Sequence, residues 1–213
     1  MKHVVLFDLD GTLTDPKEGI TKSVQYALSK FDIHIPDLDV LIPFIGPPLK
    51  TSFMEDYHFS EAQAERAIFY YRERFQTVGL YENHLFDGVI DMLEALQRKG
   101  VRLAIATSKP TVFAIEIANH FQFAHYFEYI VGSELDGTRS AKSEVIAEAL
   151  RLLDVSPEDC YMVGDRKHDM LGAAENHVES IGVTFGYGSH EELASAQANH
   201  IVHTLAALKD IIL

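Results

Sequence analysis

Val4-Val5-Leu6-Phe7-Asp8-Leu9-Asp10-Gly11-Thr12-Leu13-Thr14 is the stretch from which the fold class of this chain is read. Val4 to Phe7 is a short apolar run of the kind that forms a strand buried on both faces, and it ends in two carboxylates spaced two apart. Ligands of open α/β sheets sit beyond the carboxyl ends of the strands, so Asp8 and Asp10 are expected to project into that crevice. Gly11 lets the chain turn away at low steric cost. Two carboxylates this close repel one another, which calls for a bound cation or a proton on one of them. Taken alone, Asp-Leu-Asp-Gly also reads as a polar turn closing a strand, because Asp and Gly are common turn residues.

Downstream, Asp15-Pro16 starts a helix whose apolar positions are Ile20, Val24, Ala27, Leu28 and Phe31. Ile45-Gly46-Pro47-Pro48 stiffens a bend before a second helix. Ser60 opens a third, with Ala64, Ala67, Ile68, Tyr71, Phe75 and Val78 along one side. Residues 15–84 therefore read as an all-helical insertion. From Asp87-Gly88 onward, helices and short apolar strands alternate as in a parallel sheet. The strands expected are 102–106, 129–131, 161–163 and 180–183, with a terminal helix around Leu205, Leu208 and Ile212. The fold class is thus α/β: a doubly wound parallel sheet from residues 1–14 and 85–213, carrying a small helical domain inserted after the first strand.

The 213 residues suffice for one sizeable core plus a small insertion, and 47% hydrophobic with 23% charged residues is an ordinary globular composition. A formal net charge of -14 repels nucleic-acid backbones and anionic membranes, so neither is an expected partner. A phosphorylated small molecule is repelled as well unless a local cation and backbone N–H groups override the field. Cys160 is the single cysteine, which leaves no disulfide framework and fits a reducing compartment. No apolar stretch approaches the roughly 20 residues that span a bilayer, and no signal-like start is present, so the expected location is the cytoplasm. Nothing in the sequence specifies an oligomer.

Three further places can carry chemistry. Thr107 follows the strand Arg102–Ala106, where a hydroxyl can donate to a phosphate oxygen. Lys142, at a helix start, and Lys109 compete as the cation that a phosphoryl site needs. Gly164-Asp165-Arg166-Lys167-His168-Asp169 follows a buried strand and offers hard oxygen ligands suited to Mg2+. His168 stays unassigned because the 11 histidines show no paired zinc spacing. Gly186-Tyr187-Gly188-Ser189 is a glycine-rich turn too common in type to be claimed as a phosphate cradle.

The string Phe-Asp-Leu-Asp-Gly-Thr-Leu-Thr after an N-terminal strand resembles the first motif of the haloacid dehalogenase superfamily. Thr107, Lys142 and the Gly-Asp-x-x-x-Asp at 164–169 resemble its second, third and fourth motifs in order, and residues 15–84 resemble its inserted helical cap. Ser108, where many relatives have Asn, and Ser143, where many have Pro, depart from the pattern. The resemblance is to the phosphoglycolate phosphatase branch. It implies a magnesium-dependent hydrolysis of a small phosphomonoester (phosphoglycolate, a nucleoside monophosphate or a sugar phosphate) through an aspartyl-phosphate. Under it Asp8 is the nucleophile, Asp10 the acid/base, and Thr107 and Lys142 hold phosphate. The metal lies on Asp8, the Asp10 backbone carbonyl and Asp165, with Asp169 in support. Gly46 and Pro47 are candidates for substrate specificity. A phosphomutase of the same superfamily and a phospho-acceptor signalling module are the alternatives.

Overall fold

The computed structural model describes residues 2–213. Strand β1 (Val4–Phe7) and the two-residue β2 (Thr14–Asp15) precede helices α1 (Lys17–Ser29), α2 (Leu49–Asp56) and α3 (Glu61–Arg74), after which β3 (His84–Leu85) pairs with β2. Helix α4 (Val89–Arg98), β4 (Arg102–Pro110), α5 (Thr111–His120), β5 (Tyr129–Ser133), α6 (Lys142–Leu153) and β6 (Cys160–Gly164) follow. The chain ends with α7 (Lys167–Glu175), β7 (Glu179–Val183), α8 (His190–Ser195), β8 (His200–Val202) and α9 (Leu205–Ile212). It divides into two compact units: the segment ending at Asp15 together with Leu85–Leu213, and Pro16–His84. Asp15, counted with the insertion on sequence grounds, belongs to the first unit.

In the first unit six parallel strands lie in the order β5-β4-β1-β6-β7-β8. All four residues of β1 are buried, as a central strand covered on both faces requires. Val4 and Leu6 join Ala104, Ala106, Met162 and the apolar face of α6 in one cluster. Phe7 meets Phe127 edge-on at 6.3 Å between ring centroids. Strand β1 is where the order reverses, with β4 and β5 to one side and β6 to β8 to the other. Such a switch point opens a crevice at the strands' carboxyl ends.

Several elements differ from the sequence expectation. Strand β4 does not stop at Ala106. Its pairing with β5 shifts register between Ala106 and Pro110, so Thr107, Ser108 and Lys109 lie in an irregular continuation of the strand. Strand β8 and helix α8 were not expected, because three- and six-residue elements show too little of a period to read. The same holds for β2 and β3 at the ends of a segment expected to be all-helical.

In the second unit, Ile20, Val24, Ala27 and Leu28 form the buried stripe of α1. Phe44, Phe53 and Phe59 pack with Phe31 as an aromatic cluster. A capping box starts α3: Ser60 Oγ accepts from the Gln63 N–H, while Gln63 Oε1 accepts from the Ser60 N–H. Val78, expected on the apolar side, is 46% exposed. The helix widens into a π-turn over Phe75–Gly79, and the extra residue per turn rotates Val78 off the stripe. Gly46, at φ 105°, and Pro47 lie in the bend before α2. No helix among the described residues is long and apolar enough to cross a membrane.

Candidate active site

The sheet ladder carries Asp8 into the crevice: its N–H donates to Val163 O at 2.8 Å, which sets the first carboxylate beside the end of β6 and hence near Asp165. Asp8 Oδ1 accepts from the Leu9 N–H at 2.8 Å and lies 2.9 Å from Lys142 Nζ. Lys142 opens α6. Its ammonium also lies 2.7 Å from Asp169 Oδ1 and donates to Ala106 O at 3.1 Å. Gly172 on α7 makes room for it, since a Cβ there would stand 3.0 Å from Lys142 Cγ. Asp169 Oδ2 accepts from the Arg166 N–H at 3.0 Å. Asp8, Asp165 and Asp169 each offer an oxygen, all within 4.8 Å of one another, and all three residues are buried.

Burial dominates the electrostatics here. It lifts Asp165 well above the ordinary carboxylate range, with Asp169 and Asp8 adding repulsion. It lifts Asp169 to about 6 although Lys142 pulls the other way. Burial acts to lower Lys142, but Asp169 and Asp8 outweigh it and hold its ammonium above the usual lysine range. Asp165 Oδ1 is buried and accepts no hydrogen bond. Three converging carboxylates that share one lysine, with an Asp165 oxygen left unpartnered, suit a hard divalent ion.

The second carboxylate of the first motif has a cation of its own. Asp10 Oδ2 lies 2.8 Å from Lys109 Nζ, with both side chains nearly buried. Burial raises Asp10, and Lys109 offsets part of that rise. Thr107 is buried next to this pair, and its hydroxyl accepts from the Lys109 N–H at 3.3 Å. Lys109 and Lys142, competitors for one role in the sequence, are thus both drawn in, Lys142 to Asp8 and Asp169 and Lys109 to Asp10. His168 is half-buried outside the carboxylate group, and burial lowers it below the usual histidine value. Gly46 and Pro47 belong to the other compact unit.

A further contributor is the Gly186-Tyr187-Gly188 turn. The Tyr187 N–H donates to Asp165 Oδ2 at 2.7 Å, and the Tyr187 hydroxyl donates to the Asp15 carboxylate. A Cβ at Gly188 would lie 1.8 Å from the Asp165 carbonyl oxygen, and one at Gly186 would lie 2.2 Å from Gly11 O. At Gly11, with φ 82°, a Cβ would meet Asp165 Oδ2 at 2.2 Å. Three glycines therefore clear the space that Asp165 fills. Composition gave no sign of this, because the close approach exists only once distant loops meet. Gly188→Ala is expected to cost on the order of 1–3 kcal/mol from overpacking against backbone, read as a lowered midpoint in urea unfolding.

A family model described as haloacid dehalogenase-like hydrolase matches residues 5–183, a span that holds all of these carboxylates and both lysines. A 5'-nucleotidase of Pseudomonas aeruginosa is 54% identical over 208 residues, covering 98% of this chain and 94% of that relative. The tyrosine-protein kinase PtkA of Mycobacterium tuberculosis is 39% identical over 201 residues, covering 94% of this chain and 68% of the kinase. Among solved structures, a predicted phosphatase from Clostridium acetobutylicum superposes with a TM-score of 0.98 at 52% identity, covering 100% of this chain and 98% of that one. Sheet order, ordered motifs and full-length similarity agree, and on them the chain belongs to the haloacid dehalogenase-like hydrolase family.

Proposed function

We propose that the chain is a magnesium-dependent phosphatase that hydrolyses a small phosphomonoester through an aspartyl-phosphate on Asp8, with nucleoside 5'-monophosphates as the first substrate class. The observation that carries this is the asymmetry of Asp8. The Leu9 N–H and Lys142 both engage Oδ1, which leaves Oδ2 to attack phosphorus. The nucleotide class rests on the similarity to the 5'-nucleotidase.

Asp8 and Asp165, with the Asp10 backbone carbonyl, are the groups that would hold Mg2+, with Asp169 in support; the orphaned Asp165 Oδ1 supports that fit. When bound, the ion supplies positive charge that offsets the phosphoryl oxygens and the surrounding carboxylates. Lys142 steadies Asp8 for displacement and places a further positive charge beside it. Asp10 gives a proton to the departing alcohol and then takes one from the water that releases phosphate. Thr107 offers a hydroxyl toward the same group.

Phosphate release from a panel of nucleoside monophosphates, sugar phosphates and phosphoglycolate, each with and without Mg2+, tests the reading. Release confined to the magnesium arm and fastest for nucleotides is expected. Chelation with EDTA should lower the rate at least ~100-fold, given how much charge stabilisation a metal supplies in phosphoryl transfer. Isomerised sugar phosphate without free phosphate would replace the phosphatase by a mutase.

A further inference from the structure

We infer that Lys109 is a positioning residue that clamps Asp10 by Oδ2 and thereby reserves Oδ1 as the atom that passes a proton to the leaving group. The inference rests on the phosphatase reading of the same site and adds to it a residue and an atom. Two facts converge on it. Asp10 Oδ2 is engaged by Lys109 Nζ at 2.8 Å, with side chains only 10% and 5% exposed. Asp10 Oδ1 is buried yet accepts no hydrogen bond. Buried carboxylate oxygens are rarely left unpaired, and a group in an enzyme crevice that lacks a partner is poised for one that arrives with the substrate.

Lys109 lies in the irregular end of β4, where the register shifts between Ala106 and Pro110, just past Ile105, the β4 partner of Phe7 at the end of β1. Lys142 is bonded to Asp8, Asp169 and Ala106, and Asp10 feels its charge less than that of Lys109. Each carboxylate of the first motif therefore has its own lysine. Desolvating an ion pair is costly, so a pair held this deep contributes little to stability by itself. What it supplies is a fixed rotamer. As Asp8 Oδ2 bonds to phosphorus, the bond from phosphorus to the alcohol oxygen breaks and its electron pair stays on that oxygen. The proton on Asp10 Oδ1 moves there, and the carboxylate left behind faces the Lys109 ammonium.

A general acid matters most when the leaving group is strongly basic. The test is therefore kcat/KM for the full-length chain with Mg2+ on substituted phenyl phosphates running from 4-nitrophenyl to 4-methoxyphenyl. Because kcat/KM covers steps only through alcohol release, it isolates this proton transfer from the later hydrolysis. Lys109→Met is expected to lower the 4-methoxyphenyl value by about 100-fold and the 4-nitrophenyl value by no more than about tenfold. The dependence on leaving-group basicity then steepens. Lys109→Arg, which keeps a cation, should return the slope toward that of the unmodified chain. Thermal unfolding checks that each variant is folded, and Lys109→Gln takes the place of Met if that variant is not. An equal loss across the series, or no loss, would overturn the positioning role while leaving the phosphatase intact. Failure of the unmodified chain to release phosphate from any of the esters would instead overturn the phosphatase reading, and this inference with it.

Discussion

Asp8→Asn is expected to lower phosphate release by roughly four orders of magnitude or more, as removal of an enzyme nucleophile does, while leaving the protein folded. The amide keeps the shape of the side chain but is far too weak a nucleophile to form the proposed aspartyl-phosphate. Stability should move the other way from activity. Asp8 adds repulsion to both Asp165 and Asp169, and Lys142 keeps Asp169 as a partner when Asp8 loses its charge. The metal-free variant should therefore melt at the same temperature as the unmodified chain or higher at pH 7.5. Phosphate release and a thermal melt on one preparation measure both. An Asn variant with full turnover would remove Asp8 from the chemistry, and one that melts many degrees lower would mean that its ion pair with Lys142 outweighs the repulsion.

Lys142→Met should lose both activity and stability. The residue is buried at the start of α6 and is bonded to two carboxylates and a backbone carbonyl. Removing one partner of a buried ion cluster costs about 3–5 kcal/mol, here at neutral pH and without metal. The loss depends on pH in a definite direction. Asp165 and Asp169 have folded values raised above an unfolded value of about 3.9, Asp169 to about 6. A raised carboxylate contributes stability that is fully present below the unfolded value and is lost as pH rises through the folded one. Without Lys142, which pulls Asp169 down, that loss grows larger above pH ~6. The gap in urea midpoint between the variant and the unmodified chain should therefore be widest near pH 7.5 and narrow toward pH 5. A gap independent of pH would mean that Lys142 stabilises by packing its stem instead of by charge.

Much of the fold is legible in local pattern. Val4 to Phe7 is apolar at every position because β1 is covered on both faces, and α1 shows its buried stripe because one side of it faces a core. The carboxylates are legible for a related reason. Asp8 and Asp165 stand directly after buried strands, where a charged residue has little structural purpose, and Asp10 and Asp169 follow each of them within four residues. Val78 fails as a core position because a π-turn obeys a different period from the α-helix before it. Strand β8 is hidden because three residues cannot show an alternation.

Residues close together in the chain specify the α/β class, the helical insertion after the first strand and the carboxylates Asp8, Asp10, Asp165 and Asp169. How charge is shared among them depends on contacts between distant parts of the chain. Lys142 goes to Asp8 and Asp169, Lys109 goes to Asp10, and the Gly186-Tyr187-Gly188 turn grips Asp165. Those pairings join residues as many as 134 positions apart, as Lys142 and Asp8 are. Ion pairing acts over a few ångströms of space, and which side chains come that close is settled by strand order and by a slipped register in β4.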